Sequence, residues 1–277
     1  MNNNRVIIFD TTMRDGELMP DIAMNLKQKI DLAKILEAMG VDVIEVSYPG
    51  QGEKDFNEIS TISKLVKSST ICGLASSKRS EIIKVAEGIE GAEKGRIHIY
   101  TNVRLKYYDR ANKQEALETI KSSIYLAKQY CDDLEWSAFD AVRSELNFLC
   151  QAIETAIKSG ATTINIPDSL GTAKPEDFSR LIKNIFEKVP NIDRAVVSVH
   201  FHEDLGLAVE NSLAALKYGA RQIECSLNGL GARKGNADLA KVVREIIKEG
   251  NYRINIDTSL MDKAVRIVDR VTKEKNE

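Results

Sequence analysis

Two of the chain's three histidines stand one residue apart, as His200 and His202. The stretch around them is rich in β-branched residues, which predicts a strand, and a strand directs side chains at i and i+2 to one face. Two imidazoles that converge on one face are typical of metal ligands. The alternative is that both are polar side chains satisfied by hydrogen bonds within the protein.

Two other polar segments can supply further ligands. Asp15, within the sequence DTTMRDGE, can add a carboxylate, and Asn236, at the end of a glycine-rich segment, can add an amide oxygen. Two nitrogen and two oxygen ligands, with water or substrate completing a six-coordinate shell, suit Zn²⁺, Mn²⁺ or Mg²⁺. A bound divalent cation would polarise the oxygens of a chelated 2-oxo acid.

Arg14 is the neighbour of Asp15 in the sequence. A guanidinium beside a metal can stabilise an enolate or alkoxide oxygen, which makes Arg14 a candidate catalytic residue. The alternative is that Arg14 forms an ion pair with an acidic residue at a strand end, such as Glu45.

The spacing of residues in the sequence does not identify the general base. With two histidines assigned to the metal, only His98 remains, and its place early in an apolar run predicts a structural role toward the amino-terminal end of a strand. The other candidates are Glu17, Glu45, Glu135 and a metal-bound water.

A repeated pattern along the chain must position these residues. Eight short apolar runs alternate with longer segments whose apolar residues recur every three or four positions. Continuous apolarity is typical of parallel strands buried on both faces, and the longer segments have helical spacing. The predicted strands are 5–10, 41–48, 70–75, 96–102, 133–137, 162–167, 195–202 and 222–227.

Repeated right-handed βα units close into a TIM (β/α)8 barrel, which is the fold class that we predict. An open doubly wound sheet is the alternative, although no GxGxxG follows the first strand. We expect one barrel domain over residues 1–250 and a helical extension over residues 251–277. The polar segments all follow predicted strands, where the active site of a TIM barrel lies.

Composition argues against several functional classes. The chain has 39 Lys+Arg and 41 Asp+Glu, and this balance argues against nucleic-acid binding, which normally requires a strongly basic domain. No apolar run has the length of a membrane span, and no signal peptide is expected. The four cysteines form no CxxC or CxxH pair, which predicts buried reduced thiols in a cytoplasmic protein. A nucleophilic cysteine is the alternative.

The segment IFDTTMRDGE, at residues 8–17, resembles the first signature of the DRE-TIM metallolyases. GATTINIPDSLG at 160–171, HFHEDLGLAVEN at 200–211 and the glycine loop at 229–236 are similar to further segments of that superfamily, in the same order. The resemblance covers about residues 5–250. More narrowly, the chain resembles the catalytic domains of 2-isopropylmalate, homocitrate and citramalate synthases.

This resemblance implies an acyltransferase of the pyruvate carboxyltransferase-domain type, in which acetyl-CoA as co-substrate undergoes a Claisen condensation with a 2-oxo acid. It implies that Arg14 stabilises the substrate carbonyl and the enolate. Four residues would bind the metal: Asp15, His200, His202 and Asn236. Three would line the oxo-acid pocket: Ser137, Asn165 and Ser169. The resemblance further implies a cytoplasmic homodimer that serves amino-acid biosynthesis.

Several positions depart from the family pattern. Leu18 stands where the family has Gln, and Phe139 and Ala232 each stand where it has Glu. A family histidine after the fourth strand is also missing, so Arg104 and Lys106, which follow that strand here, become candidate substrate contacts. The losses predict a more apolar pocket around a retained metal site.

The resemblance leaves the reaction direction open. An aldolase or lyase that cleaves a hydroxy- or oxo-acid is one alternative, and a non-catalytic paralogue is another. The synthases continue into a linker and a leucine-sensing C-terminal domain, which we expect to be absent from this chain, together with feedback by leucine.

Overall fold

The computed structural model describes residues 4–104 and 110–273. Its strands form a closed parallel barrel in which each strand pairs with the next in sequence and the last pairs with the first. This confirms the predicted TIM barrel. The strands are β1 (Ile7–Asp10), β2 (Val43–Ser47), β3 (Thr70–Ser76), β4 (Gly95–Asn102), β5 (Leu134–Phe139), β6 (Thr163–Asp168), β7 (Val196–Phe201) and β8 (Gln222–Cys225).

A helix follows each strand, as the periodic spacing of apolar residues predicts, and one more helix ends the described chain. The helices are α1 (Leu26–Ala38), α2 (Glu53–Leu65), α3 (Arg79–Ile89), α4 (Arg110–Lys128), α5 (Leu146–Ser159), α6 (Pro175–Lys188), α7 (Ala208–Lys217), α8 (Leu239–Glu249) and α9 (Met261–Lys273).

The strands direct alternate side chains to two different environments. In β4, Ile97 and Ile99 belong to the apolar core between the strands and the helices, whereas His98 lies inside the barrel with Glu45 of β2. Both faces are buried, as the continuous apolar runs predict. The barrel interior nevertheless carries many polar side chains, and these must find partners within the barrel or in a ligand.

The segment after α8 packs against the barrel. Gly40, at the end of α1, has a φ of +81°, and a Cβ there would lie 2.0 Å from the carbonyl oxygen of Asn255, so the close approach requires glycine. The α9 side chains Ala264, Val268 and Val271 are buried, and α9 contacts α1. Residues 274–277 of the expected extension lie outside the described residues.

The cysteines are four free thiols. Cys72 and Cys225 are fully buried, and burial raises the pKa of both thiols well above the usual value, which argues against a nucleophilic role. Within residues 4–104 and 110–273, no helix has the length and apolarity required to cross a bilayer.

Candidate active site

A cavity of about 800 Å³ opens at the carboxyl ends of the strands. It receives side chains from the loop after β1, from strands on the opposite side of the barrel and from the glycine loop after β8. Its charged and polar lining includes Arg14, Asp15, Glu17, His98, Ser137, Asn165, Ser169, His200, His202 and Glu224. Most of the residues singled out in the sequence therefore meet at one cavity.

Asp15, His200 and His202 form a compact set of potential metal ligands, whose ligand atoms all lie within 4.8 Å of one another. The Nε2 atoms of the two histidines are 3.4 Å apart. Two nitrogens bound to one tetrahedral metal at about 2.1 Å would be separated by about 3.4 Å. The spacing of the imidazoles therefore fits a shared divalent ion.

The other ring nitrogens of the two histidines face protein groups. Nδ1 of His200 lies 2.9 Å from Oε2 of Glu224, and Nδ1 of His202 lies 3.3 Å from the carbonyl oxygen of Gly235. A carboxylate or carbonyl at this position orients a ligating imidazole and sets its tautomer. His202 is held in this way by Gly235, which leaves its Nε2 available to an ion, whereas Nδ1 of His200 is close to Glu224 but has no hydrogen-bond partner among the described residues.

Asn236 lies beside the same group. Its Nδ2 donates to Oδ2 of Asp15 over 2.7 Å and to the carbonyl oxygen of Leu230 over 3.0 Å. Its Oδ1 is buried and has no hydrogen-bond partner in the part of the chain that the structure describes. A Cβ at Gly231 would lie 2.5 Å from Nδ2 of Asn236, so glycine is required for this packing. A buried acceptor without a partner is costly, and a cation would satisfy it.

The protonation states suit metal binding. Burial would raise the pKa of Asp15, but the charge of Arg14 and the adjacent histidines hold that pKa far below its usual value. Burial lowers the pKa of His200, and burial together with the charge of His200 lowers the pKa of His202 to about 4. One ionised carboxylate and two neutral imidazoles are the forms that bind a divalent metal.

Arg14 lies beside the candidate metal ligand Asp15 and also forms an ion pair with Glu45, so both arrangements considered from the sequence are present. Its Nε donates to Oε2 of Glu45 over 2.6 Å, and its Nη1 donates to Oδ1 of Asp15 over 2.6 Å. Burial would raise the pKa of Glu45, but Arg14, His98 and Thr11 lower it to about 2. Glu45 is therefore an ionised carboxylate, fully buried, that positions Arg14 and does not line the cavity.

Glu135 lies deeper in the barrel than expected for a catalytic residue. It accepts hydrogen bonds from Nη1 of Arg96 and Nε2 of Gln222, each over 2.8 Å, and it does not line the cavity. Glu135 stands two residues before Ser137 in β5, so it points inward about 7 Å lower along the strand. Arg96, Glu135, Ser198 and Gln222 form the lower polar layer of the barrel.

Glu17 lines the cavity but is already engaged. It accepts a hydrogen bond from the backbone N–H of Met24 over 2.6 Å and lies 2.5 Å from Nζ of Lys29. Glu45 and Glu135 do not line the cavity, and Glu17, which does line it, is already bound by Met24 and Lys29. None of these three carboxylates is therefore well placed to act as the general base.

The predicted position of His98, toward the amino-terminal end of the barrel, is wrong. His98 is the fourth residue of the eight in β4, it lines the cavity, and it is not near the amino-terminal end of the barrel. Its Nδ1 lies 2.9 Å from Oε1 of Glu45 and its Nε2 lies 2.7 Å from Oγ of Ser137. The two-residue period of β4, which puts His98 on the same face as Tyr100, is the signal that could have located it.

The three predicted pocket residues all line the cavity. Nδ2 of Asn165 donates to Oγ of Ser137 over 2.8 Å, and Oγ of Ser169 accepts from the backbone N–H of Asp140 over 3.0 Å. Arg104 does not line this cavity, and its Nη1 lies 3.7 Å from Oδ2 of Asp140. Lys106 lies outside the described residues.

Part of the cavity lining is apolar. Leu18, Phe139 and Leu170 contribute to it and keep 58%, 44% and 36% of their surface exposed, respectively. Phe139 packs on Tyr100 with ring centroids 6.0 Å apart, and Tyr100 packs edge-on against Tyr48. Ala232 also lines the cavity. The departures from the family pattern at Leu18, Phe139 and Ala232 thus fall at the cavity, as predicted.

Residues 5–268 match the model of the HMGL-like family. The chain belongs to this family. It is 45% identical to the 2-isopropylmalate synthase of Rhodopseudomonas palustris (strain HaA2) over 275 residues, which are 97% of this chain and 52% of that protein. The chain therefore spans about half the length of the curated relatives that it matches. The resemblance to the DRE-TIM metallolyases is confirmed at the level of the family.

Solved structures of the same fold include two lyases. The HMG-CoA lyase of Bacillus subtilis has a TM-score of 0.81 at 18% identity, covering 98% of this chain and 94% of that one. An HMG-CoA lyase from Acinetobacter baumannii, in complex with coenzyme A and 3-methylmalate, has a TM-score of 0.80 at 17% identity, covering 99% and 93%. At such identities the match establishes the barrel fold alone.

Proposed function

We propose that this protein is a divalent-metal-dependent enzyme that condenses acetyl-CoA with a 2-oxo acid, in the manner of 2-isopropylmalate synthase. The observation that carries the proposal is the ligand set at the cavity: Asp15, His200 and His202, with Oδ1 of Asn236 buried beside them and unpaired among the described residues. The 45% identity to a 2-isopropylmalate synthase supports the reaction class.

A divalent ion held by these four residues would polarise the carbonyl and carboxylate oxygens of the 2-oxo acid. Arg14 is fixed beside that position by Glu45 and Asp15, through its Nε and Nη1 atoms. Its Nη2 atom has no hydrogen-bond partner among the described residues and can donate to the oxygen on which charge develops. Because Arg14 is held on two sides, little reorganisation is needed when the charge forms.

The apolar part of the cavity lining supports a 2-oxo acid with an apolar side chain. Tyr100, Phe139 and Leu170 would contact that side chain, and Ser137, Asn165 and Ser169 offer polar groups for the acid's oxygens. Arg233 also lines the cavity, but its guanidinium is already paired with Asp204, so a second carboxylate on the substrate would have to compete for it, which disfavours dicarboxylic oxo acids.

The test is the release of thiol from acetyl-CoA by the purified protein, loaded with Mn²⁺, Mg²⁺ or Zn²⁺. 3-Methyl-2-oxobutanoate is expected to support faster release than 2-oxoglutarate. The same preparations should be assayed for cleavage of the corresponding hydroxy acids, because the same residues would serve the reverse reaction. Absence of both activities with every acid and every metal would contradict the proposal.

We further propose that the protein is a homodimer, that it is located in the cytoplasm, as the cysteine pattern suggests, and that it has no nucleic-acid or membrane partner. Light scattering on the purified protein tests the first of these proposals directly.

A further inference from the structure

Three side chains on three strands form a continuous hydrogen-bonded series that begins at the cavity and continues into the barrel. Oγ of Ser137 on β5 lies 2.7 Å from Nε2 of His98 on β4, and Nδ1 of His98 lies 2.9 Å from Oε1 of Glu45 on β2. All three are buried, and only Ser137 and His98 line the cavity. A hydroxyl, an imidazole and a carboxylate in this order can move a proton along the series.

The neighbouring hydrogen bonds define the direction of the series. Glu45 is ionised and also accepts from Thr11 over 2.6 Å, so Nδ1 of His98 must be the donor to Glu45. Nε2 of neutral His98 is then an acceptor. Nδ2 of Asn165 donates to Oγ of Ser137 over 2.8 Å, which leaves the Ser137 hydrogen free to point at Nε2. The tautomer of His98 thus follows from the network around it.

We propose that Ser137 and His98 form the proton relay of the condensing reaction, with Ser137 as the catalytic group that touches the substrate and His98 as the relay residue behind it. This inference rests on the proposed function. The methyl carbon of acetyl-CoA loses a proton to Oγ of Ser137, and the electrons of that C–H bond remain as the enolate. In the same step the Ser137 O–H bond breaks and its proton binds Nε2 of His98.

The charged groups around His98 stabilise the imidazolium that the step creates. Glu45, Glu135 and Glu224 face it from β2, β5 and β8, and the thiol of Cys72 faces it from β3. Burial alone would lower the pKa of His98, but the hydrogen bond to Glu45 and the three carboxylates raise it above the usual value. Arg14 and Arg96 hold Glu45 and Glu135 in place, each through its own ion pair.

The relay predicts the pH dependence of the reaction. Only neutral His98 can accept the Ser137 proton, because protonated His98 donates from Nε2 instead. Since the pKa of His98 is raised, the rate should fall as the pH drops through a value above about 6.5. The acidic side of the pH–rate profile therefore reports His98.

The deciding experiment compares wild type with His98→Gln and Ser137→Ala, loaded with Mn²⁺ and assayed with 3-methyl-2-oxobutanoate. Gln keeps hydrogen-bonding groups but cannot carry a proton. Both variants should lose about 100-fold or more of kcat with metal content retained, and His98→Gln should in addition keep its oxo-acid affinity and lose the acidic fall. With trideuteroacetyl-CoA, both variants should show a larger isotope effect than wild type, because proton abstraction becomes the slowest step.

Ser198→Ala is the matched control. Ser198 is also an inward-facing, hydrogen-bonded serine, but it belongs to the lower polar layer and does not line the cavity. Its replacement should leave kcat within about twofold of wild type. If the wild type is active and His98→Gln keeps both the wild-type rate and the fall in rate at acidic pH, the relay is contradicted but the proposed function is not. A wild type that releases no thiol would overturn the relay and the proposed function together.

Discussion

The barrel interior holds two polar layers built from similar residue types but differing in how fully they are hydrogen-bonded. In the lower polar layer, the buried side-chain atoms of Arg96, Glu135, Ser198 and Gln222 all have partners. In the layer at the cavity, four buried side-chain atoms have no hydrogen-bond partner among the described residues: Oδ1 of Asn165, Oδ1 of Asn236, Nδ1 of His200 and Oε1 of Glu224.

This difference in hydrogen bonding indicates that the lower polar layer is structural and that the layer at the cavity binds a ligand. A satisfied buried network stabilises the fold, whereas buried atoms without partners are costly and persist where a ligand completes them. Within the interior of the described barrel, the unpaired atoms lie in the layer that meets the cavity. Substitutions in the two layers should accordingly change different quantities, namely activity in the upper layer and stability in the lower one.

The largest expected effect is on the metal. His202→Ala should abolish stoichiometric binding of a divalent ion and reduce kcat by about a thousandfold or more, because the ion contributes several kcal/mol to stabilising the transition state. Metal content after dialysis, measured by mass spectrometry, checks this. Metal retained at one equivalent per chain would contradict the ligand assignment.

The lower polar layer should respond in the opposite way. Arg96→Met removes the cation that is paired with both Glu135 and Asp133, and leaves the buried Glu135 with only its hydrogen bond from Gln222. We expect the free energy of unfolding to fall by about 3–5 kcal/mol, measured with urea, while the folded fraction keeps its metal. Unchanged stability together with lost metal would remove the distinction between the layers.

Glu45→Gln tests the hydrogen-bonded series at the upper layer, through the contact of Glu45 with His98. The hydrogen bond and charge of Glu45 raise the pKa of His98, so the neutral amide should lower that pKa. Neutral His98 would then persist to lower pH, and the acidic fall in rate should move down by about one pH unit or more. The pH–rate profile measures this shift, and movement to higher pH would contradict it.

The smallest effect concerns the apolar part of the cavity lining. Phe139→Ala removes a ring that is 44% exposed and packs on Tyr100. We expect the KM for 3-methyl-2-oxobutanoate to rise by about tenfold with little change in kcat, since this contact is made equally in the ground state and the transition state. A fall in kcat with an unchanged KM would place Phe139 at the reacting atoms instead.

The fold could be predicted well because its signal is local and repeated. Each apolar run became a strand, and the differences at their ends have physical causes. β1 begins at Ile7 and not at Arg5, because Arg5 makes only an isolated bridge, with Arg253, and an ion pair with Asp42. β5 continues to Phe139 through its pairing with β4.

The convergence of Asp15, His200 and His202 could be predicted for the same reason. His200 and His202 share a face through a two-residue period, and Asp15 lies in the loop that follows β1. Locating His98 and Glu135 required the depth of each residue inside the barrel. That depth depends on the tilt and register between neighbouring strands, where His98 aligns with Glu135 and Tyr100 aligns with Ser137. A single sequence does not contain this long-range information.

The hydrogen bond between Asp15 and Asn236 joins residues that are 221 positions apart in the chain. During synthesis the ribosome makes Asp15 early and Asn236 close to the end of the barrel. No nascent fragment that lacks the glycine loop can assemble the complete ion site. An ion bound at the proposed site would therefore stabilise the closed barrel and not its incomplete precursors, and metal supply in the cell would then act on the yield of folded protein as well as on its chemistry.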